Sequence, residues 1–312
     1  MKNKRVLVTG SSGFIGSHVA DALDEQGYQV VLFDAVPSKY KTESQKEYIG
    51  DILNPDDIVK AIKDCQYVFH FAAQADIGSS SNDPTKTIHN NIIGTQNILE
   101  IARRNNVNRI MFASTIYVYS ELGSFYRVSK QACEKIIEEY QKEFSLDYTI
   151  LRFGSLYGPR ANDFNAIRSF LTHAIKEKKI IRRGDGEELR EYIHVKDAAR
   201  LSVVALDEKH NNKHLIITGN KQIKIKDLLT MIREIFNGEI EIKFDLENEL
   251  HHYEITPYNY KPQVAQKITS DTFYDLGQGI LDLIYDLEME MDKGNGEKRI
   301  GLLKRKKWNL LI

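Results

Sequence analysis

The sequence has almost no net charge, few cysteines and no long apolar run, and each absence excludes a class of protein. Its 43 basic and 44 acidic residues nearly cancel, so no global field would attract nucleic acid or a membrane surface. Two cysteines, Cys65 and Cys133, are too few for a disulfide scaffold and fit packed thiols in a reducing compartment. No run approaches the ~18 apolar residues of a membrane span.

Glycines stand at positions 10, 13 and 16, directly after the apolar run 6–8. This turn begins too near Met1 for a signal peptide to precede it, so we expect a cytoplasmic protein. In a dinucleotide-binding unit the first glycine permits a tight turn, the second admits the pyrophosphate and the third lets the helix pack on the sheet. Gly10, Gly13 and Gly16 match these roles, and the free amides at the helix start would bind phosphate.

An acidic residue, Asp34, closes the next apolar run. Its carboxylate can accept hydrogen bonds from both hydroxyls of the adenosine ribose, and it would repel a 2′-phosphate. The sequence therefore predicts NAD rather than NADP, although Lys39 and Lys41 nearby weaken the inference. The alternative is a glycine-rich turn that binds nothing, and the flanking strand, helix and acid argue against it.

Strand-like runs alternate with helical stretches through the first half of the chain. The runs lie at 4–8, 29–33, 66–71, 108–113 and 147–153, and the helices at 15–26, 55–63, 86–105 and 126–143. This alternation indicates an α/β fold, a Rossmann-type doubly wound parallel sheet. We expect an NAD-binding domain over 1–155 plus about 191–212, with a helix over 196–208. A smaller substrate-binding region would cover about 156–190 and 213–312.

Tyr126 and Lys130 lie four residues apart at the start of a predicted helix, which places them on one face. There the ammonium would lower the pKa of the phenol from about 10 and make it a base for an alcohol proton. Thr115, at the end of the preceding strand, would hold the same substrate oxygen. A second such pair, Tyr192 and Lys196, lies in a strand-like stretch, and we interpret it as incidental.

Together these motifs resemble the extended short-chain dehydrogenase/reductases of the nucleotide-sugar epimerase/dehydratase family, from residue 4 to about 285. The matching motifs lie at 9–16, 50–52, 70–74, 91–95, 151–160 and 184–195. The resemblance implies that Thr115, Tyr126 and Lys130 catalyse a reaction of a nucleotide-diphosphate sugar with NAD as cofactor. We also expect a homodimer. The balanced charge predicts no nucleic acid partner, and the lack of a long apolar run predicts no membrane span.

The resemblance also assigns the binding residues. Those for NAD are Gly10, Ser12, Gly13, Phe14, Ile15, Gly16, Asp34, Asp51, Ile52, Phe71, Ala72, Ala73, Gln74, Asn91, Tyr126 and Lys130. Those for the substrate are Ser80, Thr115, Ser155, Arg160 and Arg190. An arginine such as Arg190 suits a diphosphate because its fork donates two parallel charge-assisted bonds, and a surface salt bridge is the alternative.

The chain departs from the family pattern beside the catalytic threonine. Where the family's dehydratases and decarboxylases carry an acid, it has Ile116 and Tyr117, which disfavours elimination chemistry and leaves redox at one carbinol. The loop 120–125 is shorter than the family's loop, which suggests a more open site. The favoured hypothesis is a 4-epimerase similar to UDP-glucose 4-epimerase. The alternatives are a 4-ketoreductase, a dehydratase, and a cofactor-binding regulator or scaffold.

Two features near the end of the chain carry weaker hypotheses. His251, His252 and Glu254 lack a convincing further ligand, so no metal is predicted. The tail 293–312 carries seven Lys or Arg against one Glu. We expect this tail to pack on its own protein or on a partner subunit, with contact to a membrane surface as the alternative.

Overall fold

The computed structural model of the chain describes residues 4–246, 265–270 and 272–294. Its strands are β1 (Arg5–Thr9), β2 (Gln29–Asp34), β3 (Lys46–Ile49), β4 (Tyr67–His70), β5 (Arg109–Thr115), β6 (Asp147–Phe153), β7 (Ser155–Tyr157), β8 (Lys179–Arg183), β9 (Leu189–His194), β10 (Lys213–Ile217), β11 (Gln222–Lys224), β12 (Glu241–Asp245) and β13 (Gln266–Lys267). Its α-helices are α1 (Phe14–Glu25), α2 (Pro55–Ile62), α3 (Ile77–Asn82), α4 (Pro84–Ile88), α5 (Gly94–Arg104), α6 (Ser124–Phe144), α7 (Ala166–Glu177), α8 (Val195–Val204), α9 (Ile225–Ile235) and α10 (Leu276–Gly294).

Eight parallel strands form the large sheet, in the order β13-β10-β6-β5-β4-β1-β2-β3. The six strands from β3 to β6 have the order of a Rossmann-type sheet, so the predicted fold class is confirmed. In such a sheet the strand order reverses beside β1, and ligands bind outside the carboxyl ends of the strands at that point. The fold therefore places the predicted site between the ends of β1 and β4.

Both faces of this sheet are covered by helices, as two-sided burial of parallel strands requires. On one face α1 and α8 pack their apolar sides, including Val19 and Leu23, against the sheet. On the other face α2, α5 and α6 supply Ile58, Ile98 and Ile137 to a second apolar cluster. The central strands are buried along almost their whole length, which explains why their sequences are predominantly apolar.

A second region is built from short strands and the later helices. It contains a three-stranded sheet, β11-β9-β7, and a parallel pair, β12-β8. Helices α7, α9 and α10 enclose its own apolar cluster, which includes Leu171, Leu228 and Leu283. The chain rejoins the large sheet at β10 and again at β13. The large sheet therefore takes in residues after 212, which the sequence assigns to the substrate-binding region.

The stretch 86–105, predicted as one helix, is divided. It comprises the end of α4, a π-helical segment at His89–Ile93, and α5. Segments with π-helical bonding are rare and often lie at functional sites. Here the segment carries Asn91, whose contacts are described below.

Candidate active site

A cleft of about 1030 Å³ opens at the carboxyl ends of β1, β2, β4, β5 and β6. This is at the upper end of the range for small-molecule sites, so it offers room for a large ligand. Most of the predicted site residues line it: Gly10, Gly13, Phe14, Ile15, Gly16, Asp34, Asp51, Ile52, Phe71, Ala72, Ala73, Thr115, Tyr126, Lys130, Ser155 and Arg190. The fold thus brings residues from separate parts of the sequence to one surface.

The glycine turn fits a dinucleotide. Gly10 has φ +68°, and a Cβ there would lie 2.6 Å from the backbone nitrogen of Ala72. A Cβ at Gly16 would lie 2.1 Å from the carbonyl oxygen of Gly10. Gly13 precedes α1, and no described side chain caps the first amides of this helix. Those amides and the helix dipole can therefore bind the phosphates of a ligand in the cleft.

Asp34 is fixed at the end of β2 by backbone amides. Its Oδ2 accepts a hydrogen bond of 2.9 Å from the amide of Ser12, and its Oδ1 accepts one of 3.3 Å from the amide of Val36. Ser12 does not line the cleft: its hydroxyl donates to the carbonyl of Val36 at 2.8 Å. Ser12 therefore orients the acidic residue, which itself faces the cleft.

Thr115, Tyr126 and Lys130 meet at the end of β5 and the start of α6. The Thr115 hydroxyl is hydrogen-bonded to the phenol of Tyr126 and favours its ionised form. Lys130 Nζ lies 5.9 Å from the centre of the Tyr126 ring and donates to the carbonyl of Ala113 at 2.8 Å. The structure therefore assembles the predicted trio, with one hydroxyl already on the phenol.

The pKa values of this trio differ from the expectation. Burial raises the pKa of Tyr126 to about 12, and the hydrogen bond from Thr115 offsets only part of this effect. Burial also lowers the pKa of Lys130 to about 8. The expectation that Lys130 lowers the pKa of the phenol is thus wrong for the protein by itself. Loss of hydration outweighs the ammonium, which is directed at Ala113.

Two of the predicted substrate residues do not reach the cleft. Ser80 is buried, and its hydroxyl donates to the carbonyl of Asp76 at 2.7 Å. The guanidinium of Arg160 forms an ion pair of 2.8 Å with Asp21 and lies 4.2 Å from the centre of the Tyr40 ring. Both side chains have internal partners, so we leave both residues out of the proposed substrate set.

Gln74 and Asn91, predicted to contact the cofactor, also lie outside the cleft lining. The side chain of Asn91 accepts from the amide of Gln74 at 2.7 Å and donates to the hydroxyl of Ser129 at 2.8 Å. It thereby joins the turn after β4, the π-helical segment and α6. This contact supports the residues that face the cleft.

Sequence reasoning missed the part of the cleft that comes from the second region. Arg182 and Tyr192 line it beside Arg190, together with residues between 162 and 170. Lys196 is in α8 and bonds Asp282 at 3.3 Å, so it does not pair with Tyr192. The one available signal was Arg182 itself, which precedes the predicted substrate motif at 184–195 and resembles Arg190 in chemistry.

The short loop after Thr115 forms a tight turn. The amide of Tyr117 donates to the Thr115 hydroxyl at 3.2 Å, and Tyr117 lines the cleft. Gly123 has φ +107°, and a Cβ there would lie 2.9 Å from the Tyr117 ring. Arg127 donates to the carbonyl of Ser120 at 2.9 Å and closes the turn. The short loop therefore holds the Tyr117 ring beside the trio, and its acidic residue, Glu121, does not line the cleft.

The cleft carboxylates of the described chain lie on other segments: Asp34, Asp51, Asp76 and Asp163. Asp76 accepts from the amide and hydroxyl of Ser79 at the start of α3, and Asp163 pairs with Arg168 at 3.2 Å. Within the described residues, no group of three or more His, Cys, Asp or Glu could hold a metal ion. None of the described helices is long and apolar enough to span a membrane. The sequence 251–254 and the tail from 295 lie outside the described residues.

Comparison with known proteins identifies the family. The model of the NAD dependent epimerase/dehydratase family matches residues 6–218. A putative UDP-glucose 4-epimerase of Methanocaldococcus jannaschii is 30% identical over 271 residues, which are 80% of this chain and 88% of that protein. The chain therefore belongs to the NAD dependent epimerase/dehydratase family, an enzyme family whose cofactor is NAD.

Other relatives differ in reaction. A UDP-N-acetyl-alpha-D-glucosaminuronate decarboxylase of Bacillus cytotoxicus is 28% identical over 294 residues, 84% of this chain and 90% of that protein. The crystal structure of a UDP-glucuronic acid 4-epimerase of Bacillus cereus, with UDP-glucuronic acid and NAD, has a TM-score of 0.78 and 25% identity. It covers 92% of this chain and 99% of its own. Both epimerases and decarboxylases thus occur among its relatives, and membership of the family does not by itself fix the reaction.

Proposed function

We propose that the protein is an NAD-dependent 4-epimerase of a nucleotide-diphosphate sugar. The observation that carries the proposal is the trio at the cleft wall, in which Thr115 is hydrogen-bonded to Tyr126 and Lys130 lies on the next turn of α6. The residues after Thr115 are Ile116 and Tyr117, and neither carries the carboxyl group that the family's dehydratases and decarboxylases have there. This constellation supports oxidation and reduction at one carbinol carbon.

The glycine turn and Asp34 would hold the cofactor. The first amides of α1 would bind the pyrophosphate, and the Asp34 carboxylate would accept bonds from the adenosine ribose. Bound NAD supplies reversible hydride exchange at the sugar carbon, and its oxidised ring adds a positive charge to the site. A positive charge near a phenol lowers its pKa, which would return Tyr126 towards the range of a base.

In this proposal Tyr126 removes the proton of the C4 hydroxyl, and Thr115 holds the same oxygen by a hydrogen bond. Lys130 stabilises the phenolate by its charge while its amine remains bonded to the Ala113 carbonyl. The transient 4-keto sugar then turns over in the cleft and is reduced on its other face. The large cleft volume supports this step, because the sugar must rotate without leaving.

Arg182 and Arg190 would bind the diphosphate of the substrate. Both line the cleft, Arg182 from β8 and Arg190 from β9, and Arg182 is also ion-paired with Glu188. Two guanidinium groups match two phosphates because each can donate paired charge-assisted bonds. The epimerase relative that binds a UDP-sugar has the same fold, which favours UDP as the first nucleotide to test.

The experiment is a panel of UDP-, GDP-, CDP- and dTDP-sugars with products resolved by NMR in deuterated water. A 4-epimerase exchanges the C4 configuration without net change in NADH absorbance and without deuterium at C4, because the same hydride returns. A 4-ketoreductase would consume added reduced cofactor. A 4-keto-6-deoxy sugar or loss of carbon dioxide would contradict the proposal, since either needs chemistry beyond the carbinol carbon.

Two tyrosine variants form the matched pair for this assay. Tyr126→Phe removes the proton acceptor and keeps the ring, so turnover should fall on the order of 10²-fold or more with NAD still bound. Tyr192→Phe changes another phenol that lines the cleft and should leave the chemical step nearly unchanged. An essential Tyr192 with a dispensable Tyr126 would overturn the assignment.

A further inference from the structure

Three consecutive residues at the end of β5 each contact a residue on one face of α6. The contacts join Thr115 to Tyr126, Ala113 to Lys130, and Ser114 to Glu134. The helical partners are spaced four residues apart, so they form a single row along α6. We call this row the β5–α6 ladder. Its first two contacts involve catalytic groups, whereas the third involves Ser114 and Glu134.

The third contact is anchored more firmly than the other two. The Ser114 hydroxyl donates to Glu134 Oε1 at 2.5 Å, and Arg152 on β6 donates to the same oxygen at 2.9 Å and to Oε2 at 2.6 Å. All three side chains are buried. Arg152 also donates a hydrogen bond of 2.7 Å to the hydroxyl of Tyr119, a residue that lies just after the end of β5. A buried ion pair is stable only when its oxygens and donors are satisfied in this way.

We propose that Ser114, Glu134 and Arg152 are positioning residues that set the register of α6 against β5. The contacts of Tyr126 and Lys130 cannot set it alone, because Tyr126 must exchange partners when substrate binds and reacts. The Glu134 contact does not take part in that exchange, since Glu134 lies one turn beyond Lys130. This inference rests on the proposed role of Tyr126 and Lys130 in proton transfer.

Glu134 also acts on Lys130 through its charge. The titratable groups around Lys130 are Tyr126, Cys133 and Glu134 on α6 and His70 on β4, and Glu134 itself faces Arg152 on β6 and His214 on β10. Burial lowers the pKa of His70 to about 3 and raises that of Cys133, so both are neutral at physiological pH. The negative charge of Glu134 raises the pKa of Lys130 against the effect of burial. The ladder therefore helps to keep the ammonium protonated.

Ser114→Ala tests the positioning role, with Ser202→Ala as the matched control. Ser202 is a buried serine whose hydroxyl donates to the carbonyl of Ala198 at 2.7 Å, inside α8. For Ser114→Ala, kcat of the NAD-bound enzyme should fall on the order of tenfold. KM and the Kd of NAD should remain near the wild-type values, and Ser202→Ala should keep kcat. An unchanged kcat in Ser114→Ala, or an equal loss in Ser202→Ala, would overturn the proposal.

Glu134→Gln tests the charge, because it keeps the shape of the side chain. The alkaline limb of the kcat–pH profile should move to lower pH, since Lys130 loses a stabilising negative charge. A folded Glu134→Gln protein with an unmoved profile contradicts the proposal. If this variant does not fold, Ser114→Ala alone tests the proposal. Its second readout is then the titration of Tyr126, which is followed by ultraviolet difference absorbance with Tyr126→Phe as the reference.

Different results would contradict the proposed function and the positioning role of Ser114, Glu134 and Arg152. If Tyr126→Phe keeps full turnover, the proposed function fails whatever Ser114→Ala does. If Tyr126→Phe is inactive while Ser114→Ala has full kcat and an unmoved titration of Tyr126, only the ladder fails. If the wild type converts no sugar of the panel, the ultraviolet titration of NAD-bound protein still applies. The phenol should then titrate at higher pH in Ser114→Ala, and an unmoved titration refutes the positioning role.

Discussion

Replacing Gly16 with alanine tests how closely α1 packs on the end of β1. The new Cβ would lie 2.1 Å from the carbonyl oxygen of Gly10 and 2.8 Å from its carbonyl carbon, whereas ordinary contact begins at 3.4 Å. Both opposing atoms belong to the backbone, so no side chain can rotate away. The start of α1 must therefore move by about an ångström, and a close-packed interior resists such a shift.

The size of the effect follows from what this helix buries. Val19 and Leu23 are fully buried in the cluster that α1 forms with the sheet. Forcing extra atoms into such an interface destabilises a protein by about 1–3 kcal/mol. For a chain of this size that corresponds to a Tm lower by roughly 2–10 °C. The loss should be present with and without NAD, because it arises in the protein itself.

Gly13→Ala is the control for this variant. Gly13 has φ −81°, which any residue adopts, and its Cβ would lie 3.2 Å from one atom only. Its Tm should therefore change by less than about 2 °C. NAD should bind on the order of tenfold more weakly, because a Cβ there would stand where the proposed pyrophosphate approaches the backbone. Thermal unfolding and calorimetric titration measure both quantities. A wild-type Tm for Gly16→Ala, or a larger loss for Gly13→Ala, would refute the packing argument.

Three other substitutions address the cofactor, the buried lysine and the substrate. Wild type should prefer NAD over NADP on the order of tenfold, and Asp34→Ala should narrow this gap in calorimetry. Burial lowers the pKa of Lys130 from 10.5 to about 8, so the unfolded chain binds more protons between these values and wild-type stability rises with pH there. Lys130→Met should therefore raise Tm below about pH 8, and lose this advantage as the pH approaches 10.5. Arg190→Ala should raise KM several-fold with little change in kcat, because a diphosphate contact stabilises bound substrate and transition state alike.

Each of these three predictions can be contradicted by a specific result. Equal affinities of the wild type for the two cofactors would reject the role of Asp34. A Tm difference between Lys130→Met and wild type that is the same at every pH would show that the lysine is not held at a lowered pKa. Arg183 follows Arg182 in the sequence, is exposed and does not line the cleft. An equal rise in KM for Arg183→Ala would therefore contradict the assignment of Arg190 to the diphosphate.

The sequence predicted the strands of the sheet centre because parallel strands buried on both sides must be apolar throughout. The run 29–33 became β2 within one residue, and 147–153 became β6. Strand β3 was missed, because it lies at the edge of the sheet and none of its side chains is fully buried. The π-helical segment in 86–105 leaves no periodic signal, since a local change in bonding does not alter the apolar pattern.

The cofactor side of the site was predictable because its residues stand at fixed offsets from strand ends. The side formed by the second region was not, since charged residues interrupt the apolar pattern of β8 and β9. The position of a residue within a motif also did not predict where its side chain points. Ser80 and Arg160 occupy the expected segments, yet each side chain has a nearer internal partner. Such competition between partners depends on the folded neighbours and not on the motif.

The pKa values of Tyr126 and Lys130 also could not be predicted from the motif alone. Spacing correctly placed Tyr126 and Lys130 on one helix face, but the direction of a pKa shift depends on whether burial or a neighbouring charge dominates. Burial dominates for both groups, raising the pKa of the phenol to about 12 and lowering that of the amine to about 8. Both shifts favour the neutral forms of Tyr126 and Lys130. A site of this kind becomes reactive only when further positive charge enters it, so catalysis should depend on bound NAD.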